Sequence, residues 1–199
     1  MKIAIEGMDG SGKTTLAKSL AKLYGYTYID KPFKFIFDEL NLDEKQIKEI
    51  EWKLYETNDE ALITTFYGLG LLYGTRNIDG ENFIYDRHFV SNYYWHSTEE
   101  NEKLHDVFLD LCGKPDLTIL LKASVETRIK RISIRDNKDP DLINSAMYDY
   151  GYDKMVKYLC DKNYDYIIID TDGKTKDEVL HYAIYAINGY LDKIVKKEK

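Results

Sequence analysis

The sequence predicts an α/β fold in which a five-stranded, mainly parallel sheet carries helices on both faces. Two observations lead to this prediction. Short apolar runs typical of buried strands recur along the chain, and segments of helical periodicity separate them. The first strand also runs through a glycine-rich turn directly into a helix. Strands that alternate with helices favour a parallel sheet, because each parallel crossover needs a connection long enough to hold a helix.

Each predicted strand is a short run rich in β-branched or aromatic residues. The predicted strands are Ile3–Ile5, Tyr26–Ile29, Phe83–Tyr85, Leu117–Leu121 and Tyr166–Ile169. The first predicted helix spans Thr14–Tyr24, where Leu16, Leu20 and Leu23 recur at helical spacing and predict one apolar face. The other predicted helical segments are two or three helices within Phe33–Thr75, a section over Val90–Leu111, a helix over Ser124–Asp136 and an amphipathic helix over Lys174–Lys196.

Length and composition predict a single domain over residues 1–199. At 199 residues, with 44% hydrophobic and 32% charged residues, the chain is long enough to bury one core and has the composition of a soluble globular protein. It contains three prolines and no Gly/Ser-rich linker, so the sequence offers no domain boundary.

The charge and the cysteine content exclude several classes of protein. A formal net charge of −7 argues against general binding to a nucleic-acid backbone, which needs a basic face. No apolar stretch reaches the roughly 18 residues that a membrane-spanning helix needs. Cys112 and Cys160 are too few for a disulfide framework, and the chain starts directly with a strand, which leaves no room for a signal peptide. We therefore expect a cytoplasmic protein without nucleic-acid or membrane partners.

The glycine-rich turn fits the phosphate-loop pattern G-x-x-x-x-G-K-[ST] from Gly7 to Thr14. Glycines let successive backbone N–H groups converge on phosphate oxygens, and the N-terminus of the following helix adds partial positive charge. The motif predicts a P-loop NTPase fold and a nucleoside triphosphate site in which Lys13 bridges the outer phosphates. The alternative is a turn that only joins strand to helix. The predicted triphosphate-binding residues are Gly7, Met8, Asp9, Gly10, Ser11, Gly12, Lys13, Thr14 and Thr15.

A second chemical motif ends the third predicted strand, where Asp86 and Arg87 follow the apolar run Phe83–Tyr85. The carboxyl end of a parallel strand faces the crevice in which such sheets bind ligands. Asp86 is therefore predicted to hold a magnesium ion together with the Thr14 hydroxyl, or to accept a proton. Arg87 is predicted to clamp phosphates. The alternative is a surface ion pair that caps the strand.

The predicted helix over Ser124–Asp136 carries three arginines. Arg128, Arg131 and Arg135 lie within roughly 60° of one another around the helix axis and are expected to form one basic stripe. In an acidic protein this stripe indicates a closing lid, over about residues 124–147, that neutralises charge on a transferring phosphoryl group. The alternative is a solvated helix face.

These motifs resemble those of a known family. Ile5–Thr15 looks very like the opening of thymidylate kinases, which share an E-G-x-[DE]-x-x-G-K-[ST]-T phosphate loop. Asp86–His88 resembles their Asp-Arg-x motif, Lys114–Thr118 resembles the segment that leads to their fourth strand, and Arg128–Arg135 is similar to their lid. The resemblance implies magnesium-dependent transfer of the γ-phosphate of ATP to a deoxynucleoside monophosphate, with dTMP the favoured acceptor.

The resemblance also implies roles for individual residues. Asp9 would contact the sugar hydroxyl of the acceptor, and Gly10 in place of an arginine resembles the subgroup whose catalytic arginines come from the lid. Members of the family are typically homodimers that pack through helices, which would fit Glu39–Glu60 and Val90–Leu111. The predicted catalytic set is Asp9, Lys13, Asp86, Arg87, Arg128, Arg131 and Arg135.

The chain departs from the family in the segments that read the acceptor. Where the family has an arginine-containing element after the second strand, this chain has Lys31 and Lys34, which are candidates for holding the acceptor phosphate. The base-reading aromatic is Tyr73, three rather than four positions before Arg76. A deoxynucleoside kinase acting on a free 5′-hydroxyl therefore remains an alternative. A nucleotide-sensing switch or GTPase is a further one, although residues 137–140 fall one position short of a guanine-reading Asn-Lys-x-Asp element.

Overall fold

In the part of the chain that the structure describes, the sheet contains five strands, as predicted. The computed structural model describes residues 1–30, 34–77, 80–136, 142 and 151–197. The strands are β1 (Lys2–Gly7), β2 (Thr27–Ile29), β3 (Phe83–Asp86), β4 (Leu117–Lys122) and β5 (Tyr166–Asp170). They lie in the order β2-β3-β1-β4-β5, and every pairing among these described strands is parallel. Because the strands are parallel, their carboxyl ends meet at one edge of the sheet, which is where ligands bind in such folds.

Helices fill the connections between the strands. Their bounds are α1 (Lys13–Tyr24), α2 (Lys34–Glu39), α3 (Glu44–Glu56), α4 (Glu60–Asn77), α5 (Phe89–His96), α6 (Glu102–Cys112), α7 (Val125–Arg135), α8 (Gly151–Asp161) and α9 (Lys176–Lys197). Within the described ranges, none of them combines the length and the apolarity needed to cross a membrane.

The predicted helical section over Val90–Leu111 is two helices, α5 and α6. Ser97 ends α5 because it takes an extended conformation, with φ −77° and ψ 130°. Asn101 bridges the break: its amide donates to the His96 carbonyl at 2.8 Å, and its side-chain oxygen accepts from the Thr98 N–H at 2.8 Å. Residues 97–101 therefore form a hydrogen-bonded turn between the two helices.

Alternation along the strands divides the core between the two faces of the sheet. Ile3 and Ile5 of β1 are fully buried on the face covered by α1 and α9. Ala4 and Glu6 of β1 point to the other face, because successive side chains of a strand alternate. On that second face Leu120 of β4 packs with α5, α6 and α8. The predicted arrangement of helices on both faces is confirmed.

The buried stripe of α1 differs in one residue from the prediction. Leu16 and Leu20 are buried as predicted, but Leu23 is 55% exposed. Ala17 and Ala21 complete the buried stripe instead. At 100° per residue this stripe is centred between Leu20 and Ala17, and Leu23 lies about 90° from that centre in the last turn of the helix.

Gly68 marks a close approach of α4 to α6. A Cβ added at Gly68 would lie 2.8 Å from the Phe108 ring, whereas one added at Gly189 of α9 would meet nothing within 4 Å. We expect Gly68→Ala to lower the free energy of unfolding by about 1–3 kcal/mol through overpacking. Gly189→Ala should raise it by about 0.5–1 kcal/mol, because alanine favours a helix. Urea denaturation measures both changes, and changes of the same sign would contradict this packing.

Candidate active site

The phosphate loop lies against β4 and α7, and two of its glycines make this possible. Gly7 has a φ of +140°, and a Cβ there would lie 2.4 Å from the Leu121 carbonyl oxygen. Gly10 has a φ of +79°, and a Cβ there would lie 2.7 Å from the Arg128 carbonyl oxygen. A larger residue at either position would have to move neighbouring backbone. The family alternative of an arginine at position 10 is therefore incompatible with this contact.

Lys13 opens α1 directly behind the loop. Its side chain is 5% exposed, its ammonium donates to the Met8 carbonyl at 2.8 Å, and it lies 3.6 Å from the Asp9 carboxylate. Burial and the charge of Arg87 lower the pKa of Lys13 to about 8, although Asp9 opposes the shift. Thr14 and Thr15, in the same first turn, are exposed. Lys13 is therefore a partly desolvated cation whose charge a bound phosphate would stabilise.

Arg87 brings the end of β3 into contact with the loop. Its guanidinium donates to the Asp9 carboxylate, and its Nη1 lies 3.4 Å from the Ser91 hydroxyl. Its backbone N–H donates to the Ile5 carbonyl at 3.1 Å, and its φ is +80°. Burial opposes the charge of Arg87, but Asp9 and the other nearby carboxylates raise its pKa above the usual range. The structure thus brings together three predicted catalytic residues, Asp9, Lys13 and Arg87.

Glu6 lies beneath this cluster, and the sequence did not mark it as a site residue. It is fully buried on β1. One carboxylate oxygen accepts from the His88 N–H at 2.7 Å and from the Ser91 N–H at 3.4 Å, and the other accepts from the Ser91 hydroxyl. Burial raises the pKa of Glu6 to about 7, although these hydrogen bonds oppose the shift. Glu6 thus ties the strand before the loop to the start of α5.

Asp86 ends β3 with its side chain 1% exposed. The Tyr28 hydroxyl of the neighbouring strand donates to it at 3.1 Å. Burial raises the pKa of Tyr28, and the charges of Asp86 and Asp30 raise it further. Sequence reasoning missed Tyr28, because its position beside Asp86 depends on the pairing of β2 with β3.

The predicted magnesium ligands fit a hard cation. Asp86 supplies a carboxylate at the carboxyl edge of the sheet and Thr14 an exposed hydroxyl, and oxygen is the ligand that Mg²⁺ prefers. The described residues hold no group of three His, Cys, Asp or Glu side chains suited to a metal. Mg²⁺ in kinases is commonly held by one or two protein oxygens plus substrate phosphates. Asp86 and Thr14 would hold the ion in this way.

The three arginines of α7 lie on one side of the helix, but they differ in exposure and so do not form one accessible basic stripe. Arg128 is fully buried, with its backbone against Gly10, whereas Arg135 is exposed. Arg128 and Arg135 lie about 20° apart around the helix axis, but Arg135 is two turns further along, at the end of α7, beyond the part of the helix that rests on the loop. The part of the predicted lid beyond residue 136 lies outside the described residues, apart from residue 142.

Arg131 has a bracing role within this arrangement. Its Nη1 donates to the carbonyls of Gly10 and Ser11 at 3.3 and 3.2 Å and to the Thr171 hydroxyl at 2.9 Å. Its Nη2 donates to the Thr171 carbonyl at 2.8 Å. Arg131 therefore links the phosphate loop to the end of β5, a role that only the folded arrangement reveals.

The predicted acceptor residues of α4 are not brought to the loop. The Tyr73 hydroxyl donates to Glu39, and Arg76 is exposed in the last turn of α4. Burial raises the pKa of the Cys112 thiol, at the end of α6, and the charge of Arg76 opposes this shift, so Arg76 lies near the end of α6. Because α4 leads into β3 and α6 into β4, both helix ends lie toward the amino edge of the sheet. Lys31 and the Lys34 side chain lie outside the described residues.

Tyr67, six residues before Tyr73 in α4, is an aromatic residue that approaches the site. Its ring stacks on His96 of α5 with centroids 5.3 Å apart, and its hydroxyl lies 3.2 Å from that of Tyr55. Burial raises the pKa of Tyr67, and the charge of Arg87 opposes the shift, so the two side chains are near each other. The sequence offered no signal for Tyr67, since 18 tyrosines compete for the role.

The chain is similar to thymidylate kinases and to deoxynucleoside kinases. The profile of a family described as thymidylate kinase matches residues 5–182. The probable thymidylate kinase of Methanocaldococcus jannaschii is 30% identical, over 98% of this chain and 97% of that protein. The deoxyguanosine kinase of Bacillus subtilis is 27% identical, over 90% of this chain and 89% of that protein. The structure of deoxyadenosine kinase from M. mycoides superposes with a TM-score of 0.69 at 19% identity, covering 95% of this chain and 100% of that one, which shows a shared fold.

The lowered pKa of Lys13 links the site to stability. Below pH 8 the ammonium is charged in both the folded and the unfolded chain, so its burial opposes folding. Above 10.5, the usual pKa of lysine, it is neutral in both states. We expect Lys13→Met to raise the free energy of unfolding by about 1–3 kcal/mol at pH 7, and the gain to shrink as the pH rises from 8 toward 10.5.

Denaturant titrations of wild type and variant at several pH values measure this difference. The exposed Lys22, on the same helix, supplies the control: Lys22→Met should change stability little at any pH. A gain for Lys13→Met that stays constant up to pH 10.5 would contradict the account.

Proposed function

The chain belongs to the thymidylate kinase family and is an ATP-dependent phosphotransferase, and we propose that its acceptor is a deoxynucleoside monophosphate, dTMP, converted to dTDP. The observation that carries the proposal is the Lys13–Asp9–Arg87 cluster at the carboxyl edge of the sheet. It contains a second cation, Arg87, which is 17% exposed, beside the phosphate-loop lysine. A monophosphate acceptor brings a charge of its own to the site, and Arg87 offers the planar donor set that binds a phosphate.

In the proposed reaction the protein positions two anionic groups and neutralises charge that shifts between them. Lys13 and the N–H groups at the start of α1 hold the outer phosphates of ATP, and Arg87 holds the acceptor phosphate. Arg131 binds the carbonyls of Gly10 and Ser11, which keeps loop N–H groups free to face the phosphates. Among the arginines of α7 in the described residues, Arg135 is the exposed one, and we assign it to charge on the transferring group.

Mg²⁺, when bound, would neutralise charge on the bridging phosphate oxygens of ATP. Asp86 and Thr14 are the residues that would hold it. The Tyr28 hydroxyl fixes one oxygen of the Asp86 carboxylate and so orients the other. Asp9, through its contacts with Lys13 and Arg87, keeps the two cations apart at a set separation and limits their mutual repulsion.

A second candidate function is phosphorylation of a deoxynucleoside at its free 5′-hydroxyl. One observation favours it: the Asp30 carboxylate follows β2 and acts on the Tyr28 hydroxyl, as Asp86 does. Such an acceptor needs a carboxylate to take the proton of its hydroxyl. The similarity to the B. subtilis deoxyguanosine kinase points the same way. Phosphorylation of a deoxynucleoside would depend on the Asp30 carboxylate, whereas phosphorylation of a deoxynucleoside monophosphate would depend on the Arg87 guanidinium.

Steady-state assays with a panel of deoxynucleosides and their monophosphates separate the two candidates. We expect kcat/KM for dTMP to exceed that for every deoxynucleoside by at least about 100-fold, because a deoxynucleoside has no phosphate for the Arg87 guanidinium to bind. Arg87→Ala should abolish this preference, and Asp30→Asn should leave dTMP turnover within about twofold of wild type. If the wild type instead phosphorylates deoxynucleosides and Asp30→Asn loses this activity, the second candidate would be established.

We further propose that two copies associate through α4 and α6. These helices pack together and leave four apolar side chains 45–54% exposed, namely Leu62, Leu69, Val107 and Leu111. Homodimers of the family pack through helices, and a two-fold contact would cover these residues in both copies.

Light scattering coupled to gel filtration tests the association. The wild type should elute with the mass of a dimer, and the double variant Leu69→Glu/Val107→Glu with the mass of a monomer, because each interface would then bury four like charges. Tyr185→Glu, at a position 81% exposed on α9, serves as the control and should remain dimeric. A monomeric wild type would refute this proposal.

A further inference from the structure

We propose that Glu6 is a positioning residue that holds Arg87 in place for the acceptor phosphate by occupying the N-terminus of α5. The inference deepens the proposed function, on which it rests for the identity of the acceptor. It is carried by the hydrogen bonds of Glu6, by its complete burial and by the backbone conformation of Arg87.

The hydrogen bonds show which groups Glu6 serves. Its carboxylate accepts from the N–H of His88, the N-cap residue of α5, and from both the N–H and the hydroxyl of Ser91. The free N–H groups at a helix N-terminus form a site that attracts an anion. In α5 a side chain of the protein already fills that site, so α5 does not compete with the phosphate loop for substrate phosphate.

The burial of Glu6 requires an explanation of this kind. Within the parts of the chain that the structure describes, its carboxylate forms no ion pair with a lysine or arginine, although Arg87 is near enough for its charge to oppose the rise in the pKa of Glu6. A carboxylate so placed is desolvated, and it lies next in sequence to a loop that binds a polyanion, where negative charge weakens binding. The hydrogen bonds that Glu6 accepts from His88 and Ser91 need a polar acceptor, which an apolar residue at this position would not supply.

Those contacts act on Arg87 from two sides. His88 follows Arg87 directly, so the hydrogen bond from the His88 N–H to Glu6 holds the turn that contains Arg87. In this turn Arg87 has a φ of +80°, a conformation that residues other than glycine adopt only when their surroundings impose it. Ser91 donates its hydroxyl to Glu6 and lies 3.4 Å from the Arg87 guanidinium. A chain of contacts therefore runs from Glu6 through Ser91 and Arg87 to Asp9.

Kinetics of Glu6→Gln, which keeps the shape and removes the charge, test the proposal. We expect KM for the acceptor to rise about tenfold or more, because a small displacement of a positioning group has large effects, with KM for ATP changed less than about twofold. Ser91→Ala, a milder variant, should change the acceptor KM in the same direction. Thr118→Val is the control: Thr118 pairs with Ala4, lies fully buried on the same face of the sheet as Glu6, and its substitution should alter neither KM.

The Arg87→Ala background distinguishes positioning from a general structural role. If Glu6 acts through Arg87, adding Glu6→Gln to Arg87→Ala should cause no further change in acceptor KM. The same rise in both backgrounds, or equal rises in KM for ATP and for the acceptor, would overturn the proposal.

A measurement without substrate separates this inference from the proposed function. ¹⁵N relaxation of the Arg87 Nε–H group, assigned with Arg87→Lys, should report an ordered side chain in the wild type and a more mobile one in Glu6→Gln. Unchanged order in the variant would overturn the positioning role. A loss of order in an enzyme that phosphorylates no deoxynucleotide would uphold the positioning role and refute the proposed acceptor.

Discussion

Arg87, in the turn between β3 and α5, donates to the Asp9 carboxylate inside the phosphate loop, and this ion pair joins two elements 78 residues apart. The sheet makes the pair possible. β1 and β3 are parallel neighbours, and Ile5 pairs with Asp86, so the loop and the Asp-Arg turn leave the same edge side by side. The Arg87 N–H continues the pairing by donating to the Ile5 carbonyl. The register of β1 and β3 thus sets the position of Arg87 relative to the phosphate loop.

The same neighbourhood explains how a chain of net charge −7 can bind nucleotides. Positive charge is gathered locally, in Lys13 and Arg87, and both side chains are largely removed from water. Asp9 lies between them and partly neutralises them in the free protein. Phosphates that enter the site then meet cations already desolvated and oriented, so little reorganisation accompanies binding. Removing these charged groups from water opposes folding of the free protein, and it lowers the pKa of Lys13 and raises the pKa of Glu6.

The sequence predicted the parts of this molecule that local signals specify. Five strands, the phosphate loop and the position of Asp86 and Arg87 at a strand end all follow from short runs of residues and from the shared edge of parallel strands. Glu6 could not be assigned a role, because its partners belong to a helix more than 80 residues away. The arginines of α7 were grouped correctly by periodicity, but which of them is buried depends on how α7 rests on Gly10. Arg76 is one position short of the family's base-reading spacing from Tyr73, and the direction of α4 relative to the sheet places it away from the loop.

A crystal structure with a bisubstrate analogue, in which a chain of phosphates links adenosine to thymidine, tests the central claim most directly. Arg87, held beside the phosphate loop, would bind the acceptor phosphate in this structure. We expect a guanidinium nitrogen of Arg87 at about 3 Å from an oxygen of the phosphate nearest the thymidine, with Lys13 on the phosphates of the donor half. An acceptor phosphate bound elsewhere, with Arg87 still engaged only by Asp9 and Ser91, would contradict it.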